Sequence, residues 1–499
     1  MAEGGPKARW WKDPKRLLRD RKRLAILLGA AVLLLGAAVA YELLKRPADV
    51  HNPDVTFKPQ KPPEPKAKTV NWPLFGLNRA RTRYLPAKGI KPPFRQLWRY
   101  TGQPLLEFPP IFVGGKLYFV NNNGTAFALN ADTGKVIWER SIGRLNASSP
   151  TYYRHRLYIV NLVPGHIVKL DARTGKIIWK RPLPGRAESS PMVIDRTVYF
   201  GCENGELFAL STISGNVRWT TSLGGPIKSA PAYYGGTLFV GDYGGYMNAV
   251  DAKTGRLKWQ SGSLGPGFGA SGAFYSTPAV AFGRVYAGNN DARVYSFDLR
   301  DGTTAWTYST GGYAYSGPTV ASTKHSPPTV YIGSFDGNVY ALDAKDGSVR
   351  WSRYTGGQVV GSLSAIGDIV YAAEFSNETT SGFMMRSGRR VFHYPRGTYT
   401  PVISDGRRIY LTGYSSISAL EPLTPAELRA QRRREALRQR RREAHAKARA
   451  RRRAAAAAAA RRAQRKGREA SGAGSARRQG SPASSGSGKR SQSRSPGSR

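Results

Sequence analysis

Residues 328–351 read PTVYIGSFDGNVYALDAKDGSVRW, and this stretch decides the fold. Its apolar residues alternate along two runs, which predicts two strands because successive side chains of a strand point to opposite faces. An Asp-Gly pair follows each run, at 336–337 and 346–347, and Asp-Gly supplies the positive-φ positions of tight hairpin turns. The stretch therefore predicts three antiparallel strands, the last of which ends at Trp351.

The same unit occurs five more times upstream, and each copy ends in tryptophan. The copies occupy residues 115–138, 155–179, 196–219, 236–259 and 283–306. Most copies are preceded by a short strand that opens with a small residue and proline: Ser149-Pro150, Ser190-Pro191, Ala230-Pro231, Thr277-Pro278 and Gly317-Pro318. Four antiparallel strands in about 40 residues are typical of a propeller blade, and blades must stack around an axis to bury both of their faces.

Two weaker units complete the ring. The seventh, Leu363 to Tyr394, has Phe392 near its end where the other units have tryptophan, and the eighth, Thr400 to Leu420, lacks a final strand. The segment Phe94-Arg-Gln-Leu-Trp98 has the sequence of that missing strand. We therefore predict an all-β, eight-bladed propeller of four-stranded blades over residues 71–421, whose last blade is closed by the N-terminal strand and whose free edges are thereby paired.

The repeat resembles a known family. The pattern Ala341-Leu342-Asp343-Ala344, followed by Gly347 and Trp351, is similar to the pyrroloquinoline-quinone (PQQ) repeat of quinoprotein dehydrogenases, and residues 72–84 resemble the lead-in that often precedes such propellers. The resemblance implies that the repeat tryptophans dock one blade against the next: Trp98, Trp138, Trp179, Trp219, Trp259, Trp306 and Trp351. The same family includes non-catalytic propellers, such as the outer-membrane assembly lipoprotein of bacteria, which serve as protein-binding scaffolds.

The residues that the resemblance would require for catalysis are missing. Quinoprotein dehydrogenases hold PQQ and calcium in the axial funnel, commonly beneath a pair of adjacent half-cystines, whereas this chain has the single cysteine Cys202. Every tryptophan belongs to a repeat, to the lead-in or to the N-terminus, so none remains to stack on a quinone. We therefore expect no catalytic, cofactor-binding or metal-binding residues, and we interpret the glycine-rich stretch 262–275 as a connection between blades.

The connections between blades should cluster at one mouth of the ring and form a binding surface. The residues there that suit a peptide or an anionic polymer are basic, acidic or tyrosine-rich. The predicted partner-binding rim comprises Arg144, Arg186, Glu188, Lys228, Tyr275, Tyr315, Gln358 and Tyr399, with Asn146, Phe274, Tyr313 and Arg396 as further members.

The N-terminus predicts a membrane anchor. Residues 24–44 carry no charge before Glu42 and are just long enough to cross a hydrocarbon core of about 30 Å. Nine basic residues precede this run within the segment 1–23, so the positive-inside rule places the N-terminus in the cytoplasm and the propeller outside the membrane. Cleavage after Ala40, as in a signal peptide, is the competing interpretation. The proline-rich linker 45–70 predicts an extended, semi-rigid spacer.

The C-terminus is strongly basic, with 24 basic and 5 acidic residues over 421–499 against a formal net charge of +45 for the chain. A capping-box pattern at Thr424 to Glu427 predicts the start of an Ala/Arg helix within 422–466, and the Ser/Gly/Arg composition of 467–499 predicts disorder. Outside the membrane such a tail would meet lipid headgroups or cell-envelope polymers, and nucleic acid is not the expected partner.

These features predict a membrane-anchored, extracytoplasmic propeller that acts as a non-catalytic scaffold for a protein or a polymer of the cell envelope. Two alternatives remain open. One is a PQQ-dependent dehydrogenase of alcohols or sugars, and the other is a protein that binds anionic envelope polymers mainly through its tail.

Overall fold

The computed structural model describes residues 14–44, 47–61, 64, 70–102, 104–267 and 271–474. Helix α1 covers Pro14–Leu44 and so begins ten residues before the apolar run at 24–44. Over the part of the chain that the structure describes, no helix combines the length and the hydropathy that a membrane crossing requires. The span at 24–44 therefore stays a prediction, and residues 1–13 of the basic segment lie outside the described residues.

Within the described residues, the strands form eight sheets that follow one another along the chain. Two strands precede the first blade, β1 (Tyr84–Leu85) and β2 (Phe94–Thr101). Blades 1 to 4 each contain four antiparallel strands in chain order. They are β3 (Ile111–Val113), β4 (Lys116–Val120), β5 (Thr125–Asn130) and β6 (Val136–Ser141); β7 (Thr151–Tyr153), β8 (Arg156–Asn161), β9 (His166–Asp171) and β10 (Ile177–Pro182); β11 (Met192–Ile194), β12 (Thr197–Gly201), β13 (Glu206–Ser211) and β14 (Val217–Ser222); β15 (Ala232–Tyr234), β16 (Thr237–Gly241), β17 (Tyr246–Asp251) and β18 (Leu257–Gly262).

Blades 5 to 8 continue the pattern. They are β19 (Ala279–Ala281), β20 (Arg284–Gly288), β21 (Arg293–Asp298) and β22 (Thr304–Ser309); β23 (Thr319–Thr323), β24 (Ser326–Gly333), β25 (Asn338–Asp343) and β26 (Val349–Tyr354); β27 (Ser364–Ile366), β28 (Ile369–Glu374), β29 (Thr379–Met384) and β30 (Arg390–Tyr394); β31 (Ile403–Ser404), β32 (Ile409–Thr412) and β33 (Ser416–Pro422).

The N-terminal strand closes the ring, as the sequence predicts. β2 pairs antiparallel with β33, so that Phe94 lies opposite Pro422 and Thr101 opposite Ser416. This pairing supplies the fourth strand of blade 8. Blade 7 departs from the predicted four strands, because β1 adds to its inner edge in parallel with β27.

The seven repeat tryptophans lie between successive blades. Each indole N–H donates to a backbone carbonyl in the third turn of the next blade, at 2.9–3.4 Å, and the acceptors in order are Ala131, Ala172, Thr212, Ala252, Leu299, Ala344 and Met385. A glycine in the same turn lets the ring approach closely: a Cβ on Gly134 would stand 2.6 Å from Trp98, and Gly134 has φ +71°. The Asp-x-x-x-Gly and Asn-x-x-x-Gly turns of the repeat therefore serve two purposes, since they reverse the chain and accept the neighbouring tryptophan.

The lead-in fills the axis of the ring from one end. After Trp72 pairs with Phe112 of blade 1, the segment passes successive inner strands and its backbone bonds to five more of them. The carbonyls of Pro73, Arg79, Ala80, Thr82 and Arg83 accept from the amides of Tyr152, Tyr233, Val280, Val320 and Ala365 in blades 2, 4, 5, 6 and 7. Residues 72–85 thus act as a plug that ties the inner strands of the ring together.

The linker is not the free spacer that its prolines predict. Residues 49–52 lie along the outer edge of β22, with an isolated bridge between His51 and Trp306 and a 2.7 Å bond from the amide of Asn52 to the carbonyl of Ala305. Proline prevents regular pairing at its own position only, and residues 48–52 contain none, so this stretch is free to add to an open edge. The prediction of an extended spacer over 45–70 was wrong for residues 47–58, while most of residues 62–69 lies outside the described residues.

The C-terminal residues from 424 form a separate unit. Its helix α2 covers Pro425–Gly474 and begins with the predicted capping box: the Thr424 amide donates to Glu427 Oε2 at 2.8 Å, and the Glu427 amide donates to Thr424 Oγ1 at 3.3 Å. The helix continues eight residues beyond the predicted end at 466, so the start of the predicted disordered tail is helical. Residues 475–499 lie outside the described residues.

Candidate partner-binding site at the axial mouth

The topology of a blade decides which loops share one end of the ring. Because the four strands of a blade are antiparallel, the connection into the next blade lies at the same end as the turn between the second and third strands. We call this end the mouth and the opposite end, which carries the first and third turns, the base. The lead-in plugs the axis from the base, so the open part of the axis lies at the mouth.

A cavity of about 70 Å³ opens at the mouth, on the axis. Five of the eight predicted rim residues line it, namely Glu188, Lys228, Tyr275, Tyr315 and Tyr399. All five stand in the inter-blade connections, two or three residues before a proline. The structure thus brings together residues that are up to 211 positions apart in the chain.

The floor of this cavity is Phe75, which two buried arginines support from the plug. The guanidinium carbons of Arg81 and Arg83 lie 5.7 Å and 5.3 Å from the centroid of the Phe75 ring. Arg81 donates to the carbonyls of Phe75, Pro231 and Ser190, and Arg83 donates to those of Arg81, Pro318 and Thr277. Burial lowers the pKa of Arg83 to about 9, and burial together with the charge of Arg83 lowers that of Arg81 well below its usual value. These arginines hold the ring together and are not part of the predicted rim.

One half of the mouth is charged. Lys228 Nζ lies 2.8 Å from Glu188 Oε1 and 3.5 Å from Glu203 Oε1, and Arg186 Nε lies 3.8 Å from Glu203 Oε2. Burial raises the pKa of the Glu188 carboxyl, because it outweighs the bond and charge of Lys228. Burial acts to lower the pKa of Lys228, but the Glu188 and Glu203 carboxylates outweigh it, so that pKa lies above its usual value. The ammonium is therefore held charged between two carboxylates.

Glu107 is a member of this charged half that the sequence analysis missed. Its side chain is half-buried in the axial cavity and accepts a 3.3 Å bond from Asn122 Nδ2. Burial, with a smaller effect of the Glu188 carboxylate, raises the pKa of Glu107. The position was available in the sequence, since Glu107 stands three residues before Pro110 just as Glu188 stands three residues before Pro191.

The other half of the mouth is aromatic. Tyr275 and Tyr315 contact each other with ring centroids 5.2 Å apart, Tyr243 lies 6.2 Å from Tyr275, and Phe335 lies 4.9 Å from Tyr315. Burial, with the nearby Glu188 and Glu107 carboxylates, raises the pKa of Tyr275 well above its usual value. Tyr243 and Phe335 come from second turns, which the sequence analysis did not consider. The antiparallel order of the strands was the signal that places those turns at the mouth.

The remaining predicted rim residues are less central. Arg144 and Gln358 are exposed in their connections but do not line the cavity. The prediction of a rim position was wrong for two of the further members. Phe274 is fully buried against Tyr295, and Asn146 is buried, with its side-chain amide donating to the Val160 carbonyl. Both were predicted from their place in a connection, but each turns inward to satisfy the packing or the hydrogen bonds between blades.

The axial cavity does not fit PQQ with calcium. Pockets that take small-molecule ligands measure roughly 300–1,000 Å³, and the plug with Phe75 leaves about 70 Å³ here. Among the described side chains, no group of three or more His, Cys, Asp or Glu residues converges to hold a metal ion. Cys202 is buried, donates to the Arg186 carbonyl at 3.2 Å, and has its pKa raised by burial, so it offers no reactive thiolate.

Known structures share the propeller fold. The protein assembly factor BamB from Moraxella catarrhalis superposes with a TM-score of 0.56 at 17% identity, covering 66% of this chain and all of that one. A quinohemoprotein alcohol dehydrogenase from Comamonas testosteroni superposes with a TM-score of 0.58 at 14% identity, covering 70% of this chain and 80% of that one. At these identities the likeness concerns the fold.

A curated relative matches a shorter stretch. Tetrathionate hydrolase from Acidithiobacillus ferrooxidans is 26% identical over 155 residues, which is 29% of this chain. The chain spans only about a quarter of that relative's length (27%). The match therefore concerns a fraction of each protein.

The family model covers far more. The model described as outer membrane protein assembly factor BamB matches residues 95–230 and 214–431, which together make up more than half of the chain. These residues include strands β3 to β33 and all but the first residue of β2, the strand that closes the ring. The chain therefore belongs to the family of PQQ-repeat propellers described as outer membrane protein assembly factor BamB.

Proposed function

We propose that this protein is a non-catalytic scaffold of the cell envelope that binds a polypeptide partner at the mouth of its propeller. The observation that carries the proposal is the composition of the mouth, where a cluster of partly exposed aromatic rings adjoins a fixed network of charges. Tyr243 and Tyr313 are 37% and 49% exposed there, beside the Glu188–Lys228 pair.

Such a surface suits protein recognition for energetic reasons. Tyrosine and arginine dominate binding hot spots because they bury a large area and still offer a polar group. The charged half would set the register of the partner and reject partners of the wrong charge. The name of the related assembly factor supports the same role.

We further propose that residues 24–44 anchor the propeller in a membrane. Along this part of α1 the large apolar side chains that the structure describes are exposed, and the exposed fractions of Leu33 and Ile26 are 75% and 70%. Large apolar side chains left exposed along a whole helix favour a lipid environment. The basic residues before the apolar run at 24–44 favour a cytoplasmic N-terminus and an extracytoplasmic propeller.

A dehydrogenase activity is not the function we propose, because the axial cavity is too small for PQQ and its floor is a phenylalanine. The basic helix supports a second candidate function, the binding of an anionic envelope polymer. The residues of α2 from 429 to 466 are almost all exposed and include clusters of three arginines at 432–434, 440–442 and 451–453. That binding would be electrostatic and would weaken as salt rises to about 500 mM.

Comparative capture from native membranes tests the proposal. Lys228→Glu, which places a third carboxylate beside Glu188 and Glu203, should reduce the captured partner at least about tenfold. Lys345→Glu, a matched reversal of an exposed lysine in a third turn at the base, should leave the partner in place. A chain ending at Leu423 should capture the same partner. Loss of the partner on truncation, with no effect of Lys228→Glu, would instead favour the polymer-binding tail.

A further inference from the structure

We propose that the part of the mouth formed by blades 5 and 6 rests on the surface of the membrane that the chain's own helix spans, so that the partner is taken up next to the bilayer. This inference rests on the proposed anchoring at residues 24–44. Two independent observations carry it: where the linker docks, and which inter-blade connections lack charge.

The linker crosses blade 5 from the mouth to the base. At the mouth end, Asp49 accepts a 2.9 Å bond from the amide of Ser309, the last residue of β22. At the base end, the amide of Lys58 donates to the carbonyl of Phe282, in the first turn of the blade, at 2.9 Å. The direction of the chain is therefore fixed: the linker enters at the mouth.

The entry point is held by a buried arginine. Arg293 begins β21 at the mouth end, and its side chain donates to the carbonyls of Pro47 and Gly265 at 2.6 Å and 2.9 Å. Its Nε also lies 3.4 Å from Asp49 Oδ1. Because Arg293 is only 3% exposed, its position is fixed by the core of the blade. Pro47 is thus attached to the mouth edge of blade 5 and not free to swing.

The short chain between Pro47 and α1 then limits the distance to the membrane. Three peptide units separate Leu44 from Pro47, so their Cα atoms are at most about 11 Å apart. If residues 24–44 fill the hydrocarbon core, Leu44 lies at its outer boundary. The mouth edge of blade 5 is therefore held at the level of the lipid headgroups, and the base of the ring is directed away from them.

The charge of the connections agrees with this placement. Connections 102–110, 142–150, 183–191, 223–231 and 395–402 each contain a charged residue, in order Glu107, Arg144, Arg186 with Glu188, Lys228, and Arg396. The three consecutive connections around blades 5 and 6, residues 263–278, 310–318 and 355–363, contain none. We define the described parts of these three connections as the uncharged sector. It adjoins the entry point of the linker, on the part of the mouth that the linker holds nearest to the proposed membrane.

Exposed tyrosines lie within the uncharged sector and directly beside it. Tyr313 is 49% exposed in the connection from blade 5 to blade 6, and Tyr354 is 65% exposed at the mouth end of β26. Tyrosine is enriched at membrane–water interfaces because its ring is apolar and its hydroxyl is polar. The nearby acid Asp336 is occupied internally, since it accepts from the amide of Gly311 at 2.8 Å and from the hydroxyl of Tyr340.

This orientation deepens the proposed function. The charged half of the mouth, with Glu188 and Lys228, then stands open above the membrane while the uncharged sector rests on it. The partner that reaches this half is a membrane-proximal polypeptide, such as a segment just outside a transmembrane helix, and not a protein free in solution.

The test uses the full chain reconstituted in phospholipid vesicles. Cys202 is buried, so single cysteines introduced as Tyr313→Cys, Arg144→Cys and Lys345→Cys can each be labelled with a small fluorophore. Brominated lipids should quench the label at 313 at least about twofold and leave those at 144 and 345 nearly unchanged, because only 313 lies at the interface. Quenching at 345 equal to that at 313, or no quenching at 313, would overturn the inference.

A carbonate wash separates this failure from failure of the proposed anchoring. Protein that stays with the vesicles but shows no quenching at 313 contradicts the orientation alone. Protein that the wash releases contradicts the anchoring and the orientation together.

Discussion

Trp98 donates its indole N–H to the carbonyl of Ala131 at 2.9 Å, and this bond joins the last blade of the ring to the first. Trp98 belongs to β2, which is the fourth strand of blade 8, whereas Ala131 lies in the third turn of blade 1. The residue therefore closes the ring twice, through the strand pairing of β2 with β33 and through the contact of its side chain with the next blade.

Replacing this tryptophan should destabilise the propeller strongly. For Trp98→Ala we expect the free energy of unfolding to fall by about 3–5 kcal/mol, the cost of truncating a large packed aromatic side chain. Leu97→Ala, at a neighbouring site that is 38% exposed, should change it by about 0.5 kcal/mol or less. Urea unfolding followed by tryptophan fluorescence and circular dichroism measures both. Equal effects of the two substitutions would contradict the closing role of Trp98.

The glycines beneath the tryptophans give a matched comparison. Gly134→Ala combines a positive φ of +71° with a Cβ only 2.6 Å from the Trp98 ring. Gly114→Ala also has a positive φ, +55°, but its Cβ would meet no atom within 4 Å. We expect backbone strain to lower the free energy of unfolding by about 1–2 kcal/mol in both variants. Only Gly134→Ala should lose further stability, because only its Cβ meets a tryptophan ring. Thermal unfolding of the two variants checks this, and equal losses would show that the tryptophan contact carries no stability.

The buried arginines of the plug should not tolerate lysine. Arg81 bonds to three carbonyls from three parts of the chain with its planar guanidinium, and a lysine ammonium cannot reproduce that geometry. Arg81→Lys should cost about 1.5–3 kcal/mol, the loss of one charged hydrogen bond or more. Arg79→Lys, at an exposed position two residues earlier, is the control and should be neutral. Proteolysis of the N-terminal segment should also accelerate in Arg81→Lys only.

The raised pKa of Glu107 predicts that the difference in stability between the Glu107→Gln variant and the parent depends on pH. A carboxyl whose pKa is higher in the folded than in the unfolded state destabilises the fold once it is ionised, so stability falls as pH rises through the folded pKa. Glu107→Gln removes that loss. We expect the variant to be more stable than the parent at pH 7 and about equally stable near pH 3, below the usual Glu pKa of about 4.3, where the carboxyl is largely protonated in the folded and the unfolded state. A difference in the free energy of unfolding that is the same at pH 3 and pH 7 would contradict this.

The ring itself could be predicted from the sequence because it repeats. Six of the units carry their own strand pattern, their turn residues and their tryptophan, so local signals indicate the same blade six times over. The missing strand of blade 8 was equally readable, since Trp98 stands where the other repeats have their tryptophan. These features depend on short-range physics that one chain displays directly.

The linker and the plug could not be predicted in the same way. The contact of Asp49 with Ser309 joins residues 260 positions apart and leaves no periodic pattern in either segment. Arg81 and Arg83 look like surface residues in the sequence, and only the closed ring supplies the carbonyls that make their burial favourable. The mouth could be predicted in part. The sequence identified the connections between blades, but Tyr243 and Phe335 were missed because the second turns were not assigned to the same end of the ring.

Site-specific photo-crosslinking in native membranes tests the central claim most directly. A photoreactive phenylalanine analogue is placed at Tyr243 in the mouth or at Lys345 in the base, each with and without the residues after Leu423. We expect one polypeptide to be cross-linked from position 243 in both lengths of the chain and not from position 345. Cross-linking of that polypeptide from 345 as well, or its disappearance when the tail is removed, would contradict binding at the mouth.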